Sequence, residues 1–400
     1  MSFAKHTDLP PGLTPHALYF DNAATTPLAP EALGVMMPFL SDRFGNPSAI
    51  YSQGIDARYA VEKARRRVAR AIGAREGEII FTASGSESDN LAIKGTFLAR
   101  RHRGMHVISC TTEHSAVLNT LEALSDFGAE VTLIDVGESG VIDPDDVARA
   151  IRDDTVLITV MFANSETGVI HPIAEIARVA RERGVVFHCD AVQSVGKEPI
   201  DVETLGVDLL SLSGHKIHGP KGGAALYVRR GVEIQPIIHG GNQEGGLRAG
   251  TENVPAIAGL GAALELAEAL RPAEMPRLRA LGDWIIERLQ RSINGVQLCG
   301  DPAHRLATIL CLTIEGIEGA RLVSLAGEEG ISIAAGSACS AGGLAPSHVL
   351  TAMGLPMGRV SGGIRISLGR ENTDAAVDHL IAKLPLLVRA LREGTPRDGR

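Results

Sequence analysis

The sequence predicts an α/β protein: a large domain on a mainly parallel, seven-stranded type of sheet, followed by a smaller α+β domain. Two patterns carry that expectation. Short continuous apolar runs alternate with helix-like segments between residues 60 and 254, as strands do when both faces of a parallel sheet are covered. Beyond Pro255 the pattern changes to long helices and then to a shorter strand-and-helix region. With 400 residues, 44% of them hydrophobic, the chain can bury the cores of more than one domain.

Seven runs read as strands: Glu78-Ile-Ile-Phe-Thr82, His106-Val-Ile-Ser-Cys110, Ala129-Glu-Val-Thr-Leu-Ile134, Val156-Leu-Ile-Thr-Val-Met161, Val185-Val-Phe-His-Cys189, Leu209-Leu-Ser-Leu212 and Ala224-Ala-Leu-Tyr-Val228. Residues 256–270 and 275–293 read as two long helices, and 373–392 as a final amphipathic one. The expected division places the large domain at 18–262. The small domain then comprises 1–17 with 263–400 and carries a Gly-rich loop at 334–346. The basic clusters Lys63-Ala-Arg-Arg-Arg67 and Arg100-Arg-His-Arg103 read as solvated helix faces. There is no internal repeat.

Charge and composition narrow the function. The 39 basic and 47 acidic side chains give a net charge of −8, against the clustered positive charge on which nucleic-acid binders rely. Small molecules or proteins are the expected partners. No export or import signal opens the sequence, and no run approaches the ~20 apolar residues that cross a bilayer. A cytoplasmic protein without membrane contact is expected. The cysteines, Cys110, Cys189, Cys299, Cys311 and Cys339, are scattered without a C-x-x-C pair, which suits neither a disulfide framework nor a compact zinc site. Cys110, Cys189 and Cys311 lie in apolar runs and read as buried, inert thiols. Cys299 reads as a turn residue. Cys339 alone lies among small residues, in Ala334-Ala-Gly-Ser-Ala-Cys-Ser-Ala-Gly-Gly343.

Polar residues gather directly after the runs, where open parallel sheets place their sites. The most telling is Ser213-Gly-His-Lys-Ile-His-Gly-Pro-Lys-Gly222, a glycine-punctuated loop joining two apolar runs. A lysine fixed there can form a Schiff base with a carbonyl compound, and pyridoxal phosphate is the usual biological one. Such a cofactor needs a phosphate cradle, and Ser84-Gly-Ser-Glu-Ser-Asp-Asn90 opens an apolar helix whose free N–H groups attract an anion. An ordinary Ser N-cap explains that stretch equally well. The cofactor also needs a carboxylate at its ring nitrogen. Asp190 ends an apolar run where an ionised group requires a partner, although a helix N-cap is the alternative. Gln193 follows three residues later. His114 supplies a flat ring that titrates near neutrality.

In this order the motifs resemble those of a cysteine desulfurase of the class V aminotransferase group, closest to the nitrogen-fixation type. The resemblance runs from Tyr19-Phe-Asp-Asn-Ala-Ala-Thr-Thr26 through Gly45-Asn-Pro-Ser48, the cradle, His188-Cys-Asp-Ala-Val-Gln-Ser194, the lysine loop and Gly246-Leu-Arg-Ala-Gly-Thr251. It continues to Gly336-Ser-Ala-Cys339 and Ile364-Arg-Ile-Ser-Leu-Gly-Arg370. It implies the aspartate aminotransferase-like fold type I of pyridoxal enzymes and a homodimer. It also implies phosphate contacts from Gly85, Ser86, Ser213 and His215, with Thr251 contributed by the neighbouring subunit. Lys216 would carry the cofactor and move the α-proton, His114 would stack on the ring and handle protons, and Asp190 and Gln193 would hold the ring nitrogen and hydroxyl. Arg365, assisted by Asn46, would clamp the carboxylate of L-cysteine. Cys339 would take the substrate sulfur as a persulfide and release L-alanine, passing the sulfur to an iron–sulfur scaffold or other acceptor protein.

Two departures stand out. Asn164-Ser-Glu166 replaces the common Asn-Asn-Glu, so Ser165 holds the place of a ring-contacting Asn with a shorter side chain. Gly85-Ser86 replaces the common Ala-Thr pair and keeps the hydroxyl. At about 3.3 Å per residue, some six loop residues would carry the Cys339 sulfur on the order of 20 Å. The resemblance leans toward sulfur supply for nitrogenase clusters. A housekeeping desulfurase serving iron–sulfur or tRNA-thiolation pathways and a selenocysteine lyase are the rival enzymes. A non-catalytic sulfur or iron–sulfur carrier using Cys339 as a metal ligand is the rival from another class.

Overall fold

The structure is a computed structural model and describes residues 16–336 and 346–394. Seven strands form the large sheet: β1 Ile79–Thr82, β2 His106–Cys110, β3 Glu130–Ile134, β4 Thr155–Thr159, β5 Val186–Asp190, β6 Leu209–Ser213 and β7 Ala224–Val228. Their order is β1-β7-β6-β5-β4-β2-β3. β7 is antiparallel to both its neighbours, and β6 through β3 run parallel. The strands read from the sequence are all present, with ends moved by one or two residues. Asp190 thereby becomes the last residue of β5, and its side chain is anchored at the edge of the core.

Alternation along these strands divides the core into two layers. Phe81, Ile108, Ile158, Phe187, Leu210 and Tyr227 face one side, and Ile80, Val107, Leu157, Val186, Leu209 and Leu226 face the other. The first layer is covered from the helix that follows α1 (Pro30–Leu40), namely α2 (Ser52–Ala71), whose small buried residues Ala57, Ala60 and Ala64 allow close approach. The second is covered by α3 (Gly85–Arg100) and α4 (Ser115–Ser125), through Leu91, Phe97, Val117 and Leu121. α5 (Pro144–Ala150), α6 (Ile173–Glu182) and the short α7 (Val202–Leu205) return to the first layer through Val147, Ile176 and Val202.

One long helix, α8 (Val254–Ser292), replaces the two helices expected at 256–270 and 275–293, running through Pro272 and Pro276. Its packing explains why the prolines do not end it. Ile257, Leu260 and Leu264 belong to the large core, whereas Leu278, Leu281, Ile285 and Leu289 belong to a second one. That second core lies on an antiparallel sheet of order β10-β11-β9-β8, formed by β8 Val296–Leu298, β9 Ile309–Ile314, β10 Ala334–Ala335 and β11 Gly363–Ser367. Three helices, α9 (Gly319–Glu328), α10 (His348–Ala352) and α11 (Met357–Val360), fill the connections. α12 (Asp374–Arg392) packs on α8 and α9. The Thr373 hydroxyl caps α12 by accepting from the Ala376 N–H.

Two sequence readings are corrected here. Cys299 is not an open turn residue but is 2% exposed, because its N–H donates to Cys311 O at 2.9 Å and extends the β8–β9 ladder. Arg65 is not solvated. It forks onto Glu244 at 2.8 and 2.9 Å and stacks over the Phe81 ring at 4.7 Å. That pair holds Glu244 in a left-handed conformation with φ 49°, a costly geometry that the two ion-pair bonds and the Phe81 N–H offset.

Candidate active site

The C-terminal ends of β1, β2, β4, β5 and β6 surround a cavity of about 420 Å³. Its wall includes Gly85, Ser86, His114, Ser165, Asp190, Gln193, His215, Lys216 and Arg365. Nine residues singled out from the sequence, distributed over 281 positions from Gly85 to Arg365, therefore meet at one place.

The anion end is built by β1 and α3. Ser84 is the N-cap, its hydroxyl accepting from the Glu87 N–H at 3.1 Å. The first-turn N–H groups after it have no intrahelical acceptor and carry the positive end of a 16-residue helix. Both readings of Ser84-Gly-Ser-Glu hold together: the cap is ordinary, and it points the helix at the cavity.

Lys216, on the same cavity wall, lies in a short 3-10 turn, Gly214–Lys216, directly after β6. Its Nζ donates to Ala23 O at 2.6 Å and Ala24 O at 2.8 Å. His215 Nδ1 meets the Thr25 hydroxyl at 3.1 Å. The segment 23–26 thus tethers the lysine turn, since Thr26 also bonds His215 O through its N–H and its hydroxyl at 2.9 Å.

Asp190 also lines the cavity, 8% exposed, with Oδ1 accepting from the Val192 N–H at 2.9 Å. Burial pushes its carboxyl up, while His114, that N–H and Lys216 pull it down. Two further buried carboxyls lie close by. Asp89 and Glu113 are both pushed well above the usual range, first by burial and next by Asp190. His114 caps α4, its Nδ1 accepting from the Ala116 N–H at 3.1 Å. Burial lowers its basicity, so the ring is favoured in the neutral form with the proton on Nε2. Gln193 donates to Ala23 O at 2.9 Å and accepts from Lys197 Nζ at 3.3 Å.

Arg365, 4% exposed on β11, crosses from the second sheet into the cavity. Nη2 pairs with Asp21 at 2.8 Å and Nη1 donates to Ser165 O at 2.9 Å. Ser165 contributes its carbonyl to this network, a bond that does not depend on its side chain.

Four sequence-predicted residues are not part of this wall. Ser213 is buried on the same sheet face as Ser211, where β6 packs under α3. Asn46 is exposed in a turn closed by its own Oδ1 on the Ser48 N–H at 2.9 Å. Thr251 is exposed and does not line the cavity of its own chain. Cys339 lies outside the described residues. Asp21 and Asp89 were missed, although both stand in quoted motifs. The sequence signal for Asp89 was an acid on the apolar side of α3, three residues from Ala92.

The donor set fits pyridoxal phosphate. A helix N-terminus suits the phosphate, a buried carboxyl suits a protonated ring nitrogen, and a tethered amine suits the aldehyde. At Gly85 a Cβ would stand 2.7 Å from Val192 Cγ2, so the start of α3 and the stretch after Asp190 pack closely here. Fold and site together define a pyridoxal-phosphate-dependent enzyme of fold type I. The Aminotransferase class-V family model matches residues 18–380, and the chain belongs to that family, in its cysteine desulfurase branch. It is 49% identical over 380 residues to "Cysteine desulfurase IscS" of Methanosarcina thermophila, covering 95% of this chain and 94% of that one. The protein of the same name from Dictyoglomus turgidum is 45% identical, with 95% and 96% covered. Among solved structures, a "NIFS-LIKE PROTEIN" superposes with a TM-score of 0.88 at 35% identity, over 93% of this chain and 99% of the other. "SspA in complex with cysteine" gives 0.78 at 40% identity, over 89% and 99%. Among the described residues no helix is long and apolar enough to cross a membrane, and no His, Cys, Asp and Glu cluster forms a metal site.

Proposed function

We propose that this enzyme converts L-cysteine to L-alanine and holds the released sulfur as a persulfide on Cys339. The observation that carries the reading is the convergence of Lys216, Asp190, His114 and Arg365 on one cavity in a chain that also contains Gly336-Ser-Ala-Cys339. The relative solved with cysteine supports the substrate.

Pyridoxal phosphate, when bound, supplies an aldehyde for the substrate amine and an electron sink for the α-carbon. The N-terminus of α3, with Ser86 and His215, would hold the phosphate, and Asp190 would hold the ring nitrogen. Gln193 would hold the ring hydroxyl, and the His114 ring would cover the site. Arg365 orients the substrate through its carboxylate. Lys216 Nζ takes the α-proton, and His114 Nε2 exchanges protons with the reacting carbon. The Cys339 thiolate attacks the substrate sulfur: an S–S bond forms, the Cβ–S bond breaks, and two protons return to carbon, one at Cβ and the one Lys216 took at Cα, as alanine leaves. L-cysteine and one thiol become L-alanine and one persulfide, so atoms and electrons balance.

The division into a large cofactor-binding part, 18–262, and a small part, 1–17 with 263–400, is supported by the presence of two cores, to both of which α8 contributes, although Leu18 and Phe20 join the second core and Leu306, Val349 and Val360 the first. A homodimer is supported by the exposed side chains Phe44, Ile50, Tyr51 and Tyr59, of which Ile50 is 88% exposed. The exposed Thr251 is then available to a second copy's phosphate site. A cytoplasmic setting suits a protein that works through a free thiol. General iron–sulfur supply is favoured over a role dedicated to nitrogenase, because the similar desulfurases named above carry the IscS name. The nitrogenase role remains the narrower alternative. Cys339→Ser tests the sulfur step: the variant should keep its cofactor and form no alanine from L-cysteine, and undiminished turnover would remove Cys339 from the mechanism.

A further inference from the structure

A buried carboxyl group that none of these steps uses follows Ser165 in the chain, next to the carbonyl that Arg365 binds at 2.9 Å. Glu166 is 6% exposed, and its Oε1 has no hydrogen-bond partner among the described residues. Four elements face it. Arg365 on β11 draws the carboxyl down by its charge, and the Ser347 hydroxyl, just before α10, does so through a hydrogen bond. Cys299, after β8, pushes it up, and Glu166 in turn pushes up Cys311 on β9. Gly336 closes the remaining side, where a Cβ would stand 2.5 Å from Oε1. Burial is the largest influence and raises the Glu166 carboxyl to about 7.

We propose that Glu166 is a positioning residue for substrate binding, and that its proton decides how much of the Arg365 charge remains for the substrate carboxylate. The proposal rests on the reading of Arg365 as the carboxylate clamp. Arg365 has Nη1 and Nη2 committed to Ser165 O and Asp21, while its buried Nε has no partner among the described residues. Neutral Glu166 leaves the guanidinium facing one fixed carboxylate. Ionised Glu166 adds a second negative charge in a region from which water is excluded and screening is weak. A substrate carboxylate then approaches a cation that is already balanced. Since a raised carboxyl is protonated below about 7 and ionised above it, carboxylate affinity falls as the pH rises through neutrality. Gly336 and Ser347 lie close to either side of residues 337–345, so the same carboxyl adjoins both the clamp and the ends of the segment that bears Cys339.

The test is binding of L-alanine to the holoenzyme, followed by its visible spectrum from about pH 6 to about pH 8.5, in the wild type, Glu166→Gln, Glu166→Asp and Arg365→Lys. Glutamine imitates the neutral carboxyl at every pH, and titrations shared by the proteins cancel in the ratio of their dissociation constants. The wild-type to Glu166→Gln ratio should be near one at the acid end and rise to about fivefold at the alkaline end. Glu166→Asp, which keeps a titrating group, should retain a rise. L-Alanine has no thiol, so the result does not depend on sulfur transfer. A flat ratio alongside weakened binding in Arg365→Lys overturns this proposal alone. Unchanged binding in Arg365→Lys overturns both the clamp and the proposal.

Discussion

Arg365 and Asp21, 344 positions apart in the chain, meet at 2.8 Å in the cavity wall. The pair ties the N-terminal segment to β11 and fixes the guanidinium plane before substrate arrives. A fixed fork recognises a carboxylate in two parallel bonds, which an ammonium cannot reproduce. Arg365→Lys should therefore raise the KM for L-cysteine about tenfold to a hundredfold, with a smaller loss in kcat. Steady-state alanine formation measures both, and an unchanged KM would count against the clamp.

Gly85→Ala should weaken the cofactor. The new methyl would stand 2.7 Å from Val192 Cγ2, and relieving that overlap must move the start of α3 or the stretch after Asp190. Overpacking of this kind costs about 1–3 kcal/mol. An equal loss in cofactor binding is about fivefold to about 150-fold. Dialysis followed by absorbance reads the retained cofactor, and far-UV circular dichroism checks that the fold is kept. Full retention would show that Val192 gives way to the methyl without disturbing the cradle.

Acid should destabilise the fold through two buried imidazoles. Burial depresses His188 to about 3 and His171 to about 4. His188 is held by the Thr159 hydroxyl at 2.8 Å and the Ser211 hydroxyl at 2.9 Å. Between those values and the unfolded value of about 6.5 the unfolded chain binds more protons, so stability rises with pH. The contribution is fully present above about pH 6.5 and is lost as the pH falls toward about 4, at roughly 3 kcal/mol for each group. Urea midpoints across that range check it. His171→Asn should flatten the dependence, and an equally steep curve in that variant would assign the loss to carboxylates instead.

Much of this was legible because strand ends and motifs coincide. Continuous apolar runs gave all seven strands of the large sheet, and polar residues placed just after them became the cavity wall. What escaped depends on contacts between distant segments. Asp21 is unremarkable until Arg365 meets it. Arg65 reads as one charge in a basic cluster until Glu244 folds back onto it at 2.8 Å. The prolines of α8 suggest a break that packing on two cores prevents. Asn46 and Ser213 belong to matching motifs, and neither lines the cavity of this chain.

The central claim is that one cavity removes sulfur from cysteine and leaves it on one thiol. Intact-protein and peptide mass measurement after brief exposure of the holoenzyme to L-cysteine, with alanine counted in the same sample, tests it directly. The account predicts alanine together with the mass of one added sulfur atom on the peptide containing Cys339, absent in Cys339→Ser. Alanine formed with no sulfur on that peptide, or sulfur found instead on Cys299 or Cys311, would contradict it.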